Sequence, residues 1–363
     1  MSNIARIESF PYALALQAPL HWGRGHQMNT LDHILVKVTL ESGAVGLAEA
    51  NPRPTIYGET PESVRAILQR EIAPALVGQT LDNLNDLPKL LGCVALLKNN
   101  HSARAAVDMA LWGALAAEQG THVADLLGAA QSAVRVSYIL GTGDLEDVLQ
   151  EAKSVFESGV RVLKVKVGKD IAAELQLVMQ LRMLLPDVDL YLDANECLIP
   201  EAAAGILSSF AALGAHYCEE PLAVWQIPAR AALREQGIMP LIGDDSAFTP
   251  DDLRRELLFN TFDILNLKPS RNGFTQSLAM AADAQAADKG IMFGSQASSL
   301  LGALCTLMIA AASDGQPYPA EGTFWLKVKD SGTLPLDSGF ITRDALKAAY
   351  TATVTRLLED YAR

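Results

Sequence analysis

Leu163-Lys164-Val165-Lys166-Val167-Gly168 is the stretch whose reading decides the fold. Side chains alternate across a strand, so the two lysines share one face and the leucine and valines the other. A half-buried strand does not place two cations on its inner face unless something anionic lies opposite, because an unpaired desolvated charge costs several kcal/mol. Taken alone, the segment also fits an edge strand with a solvated lysine face. The neighbouring sequence decides between the two.

Downstream of Ala133, short apolar strands alternate with helices at the roughly 25-residue spacing of βα units. The strands read as Arg135–Leu140, Val162–Val167, Asp189–Asn195, Ala215–Glu220, Pro240–Asp245, Phe262–Lys268, Gly290–Ser295 and Tyr318–Glu321. Eight parallel strands of this kind close into a barrel. Upstream, residues 4–50 read as an antiparallel meander, with Ile34–Leu40 turning through Glu41-Ser42-Gly43-Ala44 into Val45–Ala50. Glu62 to Leu76 has helical apolar spacing, and Ser102 is placed to cap a helix that Gly120 closes. His101, beside that cap, reads as structural. This first part, to about Gly128, is an α+β unit. Past Glu321 too little chain remains for another unit, so Gly339-Phe340-Ile341 and a helix over Arg343–Tyr361 are expected to return to it.

Composition sets the outer limits. The chain has 363 residues, half of them apolar, enough for two domains or one large barrel with additions. A net charge of −13 argues against nucleic acid and anionic membrane surfaces as partners. Cys93, Cys197, Cys218 and Cys305 are scattered without a C-x-x-C pair, which fits a reducing cytoplasm. The N-terminus lacks the order of a signal peptide, and the apolar run Ala297–Ala312 is too short and too interrupted for a membrane span.

Barrels of this kind carry their chemistry at the carboxyl ends of the strands. Those ends read Lys164 and Lys166; Asp193-Ala194-Asn195; Glu219-Glu220-Pro221; Gly243-Asp244-Asp245; and Leu267-Lys268-Pro269. Each has a plain alternative as a helix cap, a turn or a solvated charge. Three carboxylates at adjacent strand ends would repel one another, so a divalent cation is the natural counter-charge. All-oxygen donors suit Mg²⁺, with Mn²⁺ able to substitute.

The set Lys-x-Lys, Asp-x-Asn, Glu-Glu-Pro, Asp-Asp-Ser and Leu-Lys-Pro-Ser-Arg-Asn-Gly, with the helix containing Ala106-Val107-Asp108-Met109-Ala110-Leu111-Trp112, resembles the enolase superfamily in its muconate lactonizing enzyme subgroup. That subgroup also holds dipeptide epimerases, N-acylamino acid racemases and o-succinylbenzoate synthases. The resemblance implies an α/β fold: a modified (β/α)7β barrel over residues 131–323, an α+β capping domain over 1–130, and a C-terminal segment, 324–363, returning to the cap. It implies Asp193, Glu219 and Asp244 as Mg²⁺ ligands in preference to Glu220, with Asn195 and Asp245 behind them. Lys166 and Lys268 become an acid/base pair on opposite faces of a small carboxylate substrate, and Lys164 supports Lys166 and the substrate carboxylate.

The implied reaction removes the proton α to a carboxylate through an enediolate, whose charge the cation stabilises. A lysine acts as a base only when neutral, and a second ammonium beside it is expected to lower its pKa. Lysines on both faces point to a racemase or epimerase of an amino acid derivative; a muconate-type cycloisomerase or a dehydratase are the alternatives within the superfamily. A Schiff-base lysine lyase is the alternative outside it. The branch that uses a late-barrel histidine is disfavoured, since the last histidine is His216, on strand four.

Two departures bear on substrate. Gly294-Ser295-Gln296-Ala297-Ser298-Ser299 has serine where the subgroup commonly has an acid, and Pro319-Ala320-Glu321 offers one carboxylate where dipeptide epimerases have Asp-x-Asp. Arg24 and Arg53 are candidates for a second substrate carboxylate, with Tyr57, Ser295 and Glu321 as further substrate-binding residues. His21, Trp22, His26 and Ile56 complete a candidate specificity wall. A homo-oligomer is expected.

Overall fold

The computed structural model describes residues 2–22, 26–313 and 318–361. Arg24 lies outside the described residues, and so do the side chains of His21, Trp22 and His26.

Strands β1 (Ile4–Trp22), β2 (His26–Leu40) and β3 (Val45–Ala50) form an antiparallel sheet in that order. Helix α1 (Pro61–Ile67) continues to Leu76 through a wide π turn at Leu68–Ile72, where the Ala73 N–H reaches the Leu68 carbonyl. Pro74 has no N–H to offer Arg70, and the wider turn accommodates it. Helix α2 (His101–Glu118) lies across the sheet. Gly46 lets the two backbones approach: a Cβ there would collide with the Ala110 carbonyl. Ser102, expected as the cap, sits inside α2. Its N–H (3.2 Å) and hydroxyl donate to the Glu59 carboxylate, which satisfies the helix start from a neighbouring loop.

The barrel is a seven-stranded parallel sheet in the order β11-β10-β9-β8-β7-β6-β5, made of β5 (Tyr138–Ile139), β6 (Val162–Lys166), β7 (Asp189–Asp193), β8 (Ala215–Glu219), β9 (Leu241–Gly243), β10 (Ile264–Leu267) and β11 (Gly290–Phe293). The α/β fold class with a barrel under an N-terminal cap is therefore as expected. Two strands differ in detail. The first is split: β4 (Ala133–Arg135) pairs antiparallel with β12 (Phe340–Thr342), and only β5 joins the barrel. The eighth shrinks to a bridge at Ala320, between the Arg135 carbonyl (2.8 Å) and the Ser137 N–H (2.9 Å), while the Glu321 N–H bonds the Phe293 carbonyl (2.8 Å). Pro319 cannot donate to a ladder, so the closing strand stays short.

Period-two alternation divides the barrel interior into layers. Val162, Tyr191, Ile242, Ile264 and Met292 fill the amino-terminal end with an apolar plug. The next inward positions are Lys164, Lys166, Asp193, Glu219, Asp244 and Lys268. Leu163, Val165, Leu190 and Leu192, of opposite phase, pack on the surrounding helices.

The cap docks through α2 against α3 (Pro269–Ala286). The Asp108 carboxylate accepts from the Thr275 N–H (2.8 Å) and hydroxyl (2.6 Å), and the Trp112 indole N–H donates to the Thr275 hydroxyl (2.9 Å). Gly273 has φ +69°, and a Cβ there would strike Asp108. The apolar run near residue 300 forms α4 (Leu300–Ala312), buried against α5 (Arg343–Asp360). Among the described residues no helix is long and apolar enough to cross a membrane.

Candidate active site

Parallel register sets the charges side by side: Lys166 is level with Asp193, and Asp193 with Glu219, while Asp244 follows the last residue of β9. The Lys164 ammonium is buried among three acids, 2.7 Å from Glu219 Oε1, 2.5 Å from Glu321 Oε1 and 3.1 Å from Asp193 Oδ2. Lys166, more exposed, donates to Asp193 Oδ2 (2.5 Å) and Asn195 Oδ1 (2.7 Å). On the other side Lys268 pairs with Asp244 Oδ2. These groups line one cleft with Asp245, Ser295 and Ile56.

The electrostatics follow from burial and proximity. Burial alone would lower the Lys164 pKa, but Asp193, Glu219 and Glu321 outweigh it and hold the ammonium well above the ordinary range. Lys268 is raised in the same way by Asp244 and Asp245. At Lys164 the three carboxylates, not the neighbouring ammonium, set the direction of the shift. Against burial, Lys164 and Lys166 hold Asp193 below the usual carboxylate range, and Lys268 and Arg271 do the same for Asp244. Glu219 moves the other way: burial raises it, Lys164 lowers it, and Asp193, Glu321 and Asp244 push it up again.

Glu220 points into the barrel wall. Its carboxylate accepts from the Asp244 N–H (2.8 Å) and the Ser246 hydroxyl (2.5 Å) and pairs with Arg230 at 3.4 Å, so it braces the backbone that presents Asp244. Asn195 receives Lys166 from a left-handed backbone (φ +42°). Asp245 is half-buried, 3.2 Å from the Arg271 guanidinium.

The remaining substrate candidates have other partners. Arg53 borders the cleft, but its guanidinium donates to the Pro52 (2.7 Å), Gln296 (2.6 Å) and Ala297 (3.1 Å) carbonyls and to His33 Nε2 (2.9 Å). It ties the cap to the loop after β11. Tyr57 packs edge-on against Phe248 (5.6 Å between ring centroids), and its buried hydroxyl has no hydrogen-bond partner among the described residues. His101 completes that cluster at 4.8 Å from Phe248, a packing role as read from sequence. The Ser295 N–H donates to Glu321 Oε2 (3.1 Å), and Glu321 also accepts from the Tyr191 hydroxyl (3.0 Å).

Three residues with a part in the site went unassigned at the sequence level. Arg271, buried, lies 3.3 Å from Asp244 Oδ1 and over the Phe248 ring. Asn266 donates to Glu219 Oε2 at 2.8 Å, and Tyr191 meets Glu321. Asn266 shares the phase of Lys268 on β10, and that period-two spacing was the available signal.

Among the described residues no three acidic, imidazole or thiol groups already face one another as a closed metal cage. The carboxylates are drawn onto the lysine and arginine cations instead. The donor set nevertheless fits a hard divalent cation: three buried carboxylates at consecutive strand ends, one of them pushed upward by burial and by the acids beside it.

A parallel barrel with acids at three adjacent strand ends, flanked by lysines and roofed by an α+β cap, defines a class of capped barrel enzymes. Residues 147–345 match the enolase C-terminal domain-like family, and residues 7–128 the mandelate racemase/muconate lactonizing enzyme N-terminal domain. The chain belongs to the enolase superfamily, in the muconate lactonizing enzyme-like group, whose enzymes depend on a metal. It is 29% identical over 315 residues to L-Ala-D/L-Glu epimerase from Bacillus subtilis, covering 85% of each chain. It is 27% identical over 311 residues to muconate cycloisomerase 1 from Pseudomonas putida, covering 84% of this chain and 82% of that one. The crystal structure of muconate lactonizing enzyme from Mycobacterium smegmatis with muconolactone superposes with a TM-score of 0.89 at 30% identity, over 94% of both chains.

Proposed function

We propose that the chain is a Mg²⁺-dependent isomerase that abstracts the proton α to a substrate carboxylate, acting as a racemase or epimerase of an amino acid derivative. One observation carries the reading: Lys166 and Lys268 approach the same cleft from opposite ends of the acidic row, each held by a different carboxylate, Asp193 and Asp244. One lysine takes the α-proton at its Nζ and the other delivers one from the opposite face. Asn195 orients Lys166, and Arg271 holds Asp244 from behind. Asp193, Glu219 and Asp244 would hold the cation. When bound, it supplies positive charge beside the substrate carboxylate as the α-carbon becomes electron-rich. Lys164, held among Glu219, Asp193 and Glu321, supports Lys166 and the substrate carboxylate.

The test is NMR of α-hydrogen exchange in D₂O over N-acylamino acids and dipeptides. Exchange should require Mg²⁺, cease with EDTA, and fail in Lys166→Ala and Lys268→Ala. Exchange that persists in both variants would sink the two-base assignment. Cycloisomerisation of a muconate-like diacid is the second reading, favoured by the likeness to muconate lactonizing enzyme and by Glu321 standing alone at the eighth strand position. Loss of muconate absorbance on adding enzyme would select it. The scattered cysteines, without a C-x-x-C pair, and the net charge of −13 support a cytoplasmic protein that avoids nucleic acid and membranes. Exposed Trp225 and Leu258 support a homo-oligomer, which sedimentation showing only monomer would remove.

A further inference from the structure

We infer that Lys327 is a specificity residue of this cleft, receiving an anionic group at the far end of the substrate; the inference rests on the isomerase reading above. Lys327 ends the short 3₁₀ helix Phe324–Lys327, which begins three residues after Glu321, and its side chain lines the catalytic cleft beside Ile139, Leu140 and Phe324. A smaller recess bounded by Tyr138, Glu321 and Lys327 adjoins it. Apart from Lys164, Lys166 and Lys268, the cations in the cleft wall among the described residues are Arg53 and Lys327. Arg53 is fully engaged by backbone carbonyls and His33. Among the described residues Lys327 has a single ion-pair partner, Glu151 Oε1 at 2.8 Å, and it lies over the Tyr138 ring at 4.7 Å.

The construction around Glu151 makes the lysine transferable. The Glu151 carboxylate accepts independently from the Tyr138 hydroxyl (2.7 Å) and the Gly141 N–H (2.9 Å). If Lys327 turns toward a ligand, Glu151 keeps two donors and is not left as a bare buried charge, the event that makes most buried ion pairs costly to open. The ammonium has three donors and a flexible four-carbon stem, so it can reach a carboxylate without moving the backbone. The wall thus joins an apolar surface to one available cation, the arrangement that selects an acid-ended substrate over a neutral isostere.

The test pairs N-succinyl-L-alanine with N-succinamoyl-L-alanine, which differ only in having an acid or an amide at the far end. Binding is measured by calorimetry with Mg²⁺ present, and α-hydrogen exchange in D₂O is followed in parallel. The unmodified protein should bind the acid about tenfold more tightly, the size of one charge-assisted hydrogen bond. Lys327→Met should bring that ratio to about one, and Lys327→Arg, the conservative variant, should retain it. A ratio near one in the unmodified protein overturns the inference, as does a ratio that survives Lys327→Met and falls in Arg24→Met. A ratio that depends on Lys327 without any α-hydrogen exchange supports the anion subsite and sinks the isomerase reading.

Discussion

The barrel rim and the capping-domain loop over residues 51–58 border the same cleft and are built on opposite plans. On the rim, Lys164, Lys166, Asp193, Glu219, Asp244 and Lys268 are charges that answer one another across a common space. In the loop, Arg53 is consumed by three carbonyls and a histidine, and Tyr57 is packed among Phe248 and His101. A strand end has its direction fixed by the pleat, so a charge there faces the barrel interior whether or not a ligand is present. A loop has no such constraint, and a long polar side chain on it goes to whatever backbone acceptors lie nearest. The rim therefore presents charge to the cleft, and the loop holds the roof over it.

The largest effect separating the two regions belongs to the rim. Lys268→Ala should reduce turnover by about 10²–10⁴-fold, the usual contribution of a positioned acid or base. Asp244 keeps the Arg271 guanidinium, so the fold should persist, with a melting curve close to that of the unmodified protein. Turnover within a few-fold of normal would mean that the rim lysine is a bystander.

Next comes the strut. Arg53→Met strips donors from the Pro52, Gln296 and Ala297 carbonyls and from His33 in a buried setting, and should cost roughly 3–5 kcal/mol in urea unfolding. A variant of normal stability whose KM alone rises would make Arg53 a substrate ligand, and the contrast between rim and loop would fail there.

That contrast also explains what could be read from the chain. The barrel and its charged rim were legible because alternation and the roughly 25-residue repeat are local signals, and register converts them into position. Glu219 and Glu220 mark the limit of that reading. Adjacent strand residues must face opposite ways, yet only the motif said which of the two enters the cleft. Glu220, with φ +36° just past β8, turned out to brace Asp244. The split first strand and the one-residue closure at Ala320 were not legible, since each depends on a partner from the far end of the chain. The destination of Arg53 depended on carbonyls some 240 positions away, which no local pattern records.

A smaller effect lies at the joint between the two regions. Burial pushes the Asp108 carboxyl up from 3.8 to about 6, although the Thr275 N–H and hydroxyl pull it down. Between those values the unfolded chain ionises first and the folded protein holds the extra proton, so stability falls as pH rises from about 4 to about 6 and then levels off. The contribution is at most about 3 kcal/mol. Asp108→Asn should flatten that part of the stability–pH curve; a slope of the same size in the variant would place its origin elsewhere.

The smallest effect is the most discriminating for the loop. The Tyr57 hydroxyl is buried without a hydrogen-bond partner among the described residues, and desolvation raises its pKa, so it stays protonated throughout the working range. An unpaired buried hydroxyl costs folding free energy that its removal returns. Tyr57→Phe keeps the ring against Phe248 and His101, and should leave stability unchanged or raise it by under about 1 kcal/mol. A hydroxyl that met the substrate would show itself differently, as a fall in kcat/KM with no change in melting temperature. Equal activity with equal or greater stability is the expected result, because the loop contributes this ring as packing beneath the roof and directs no polar atom of it toward the chemistry.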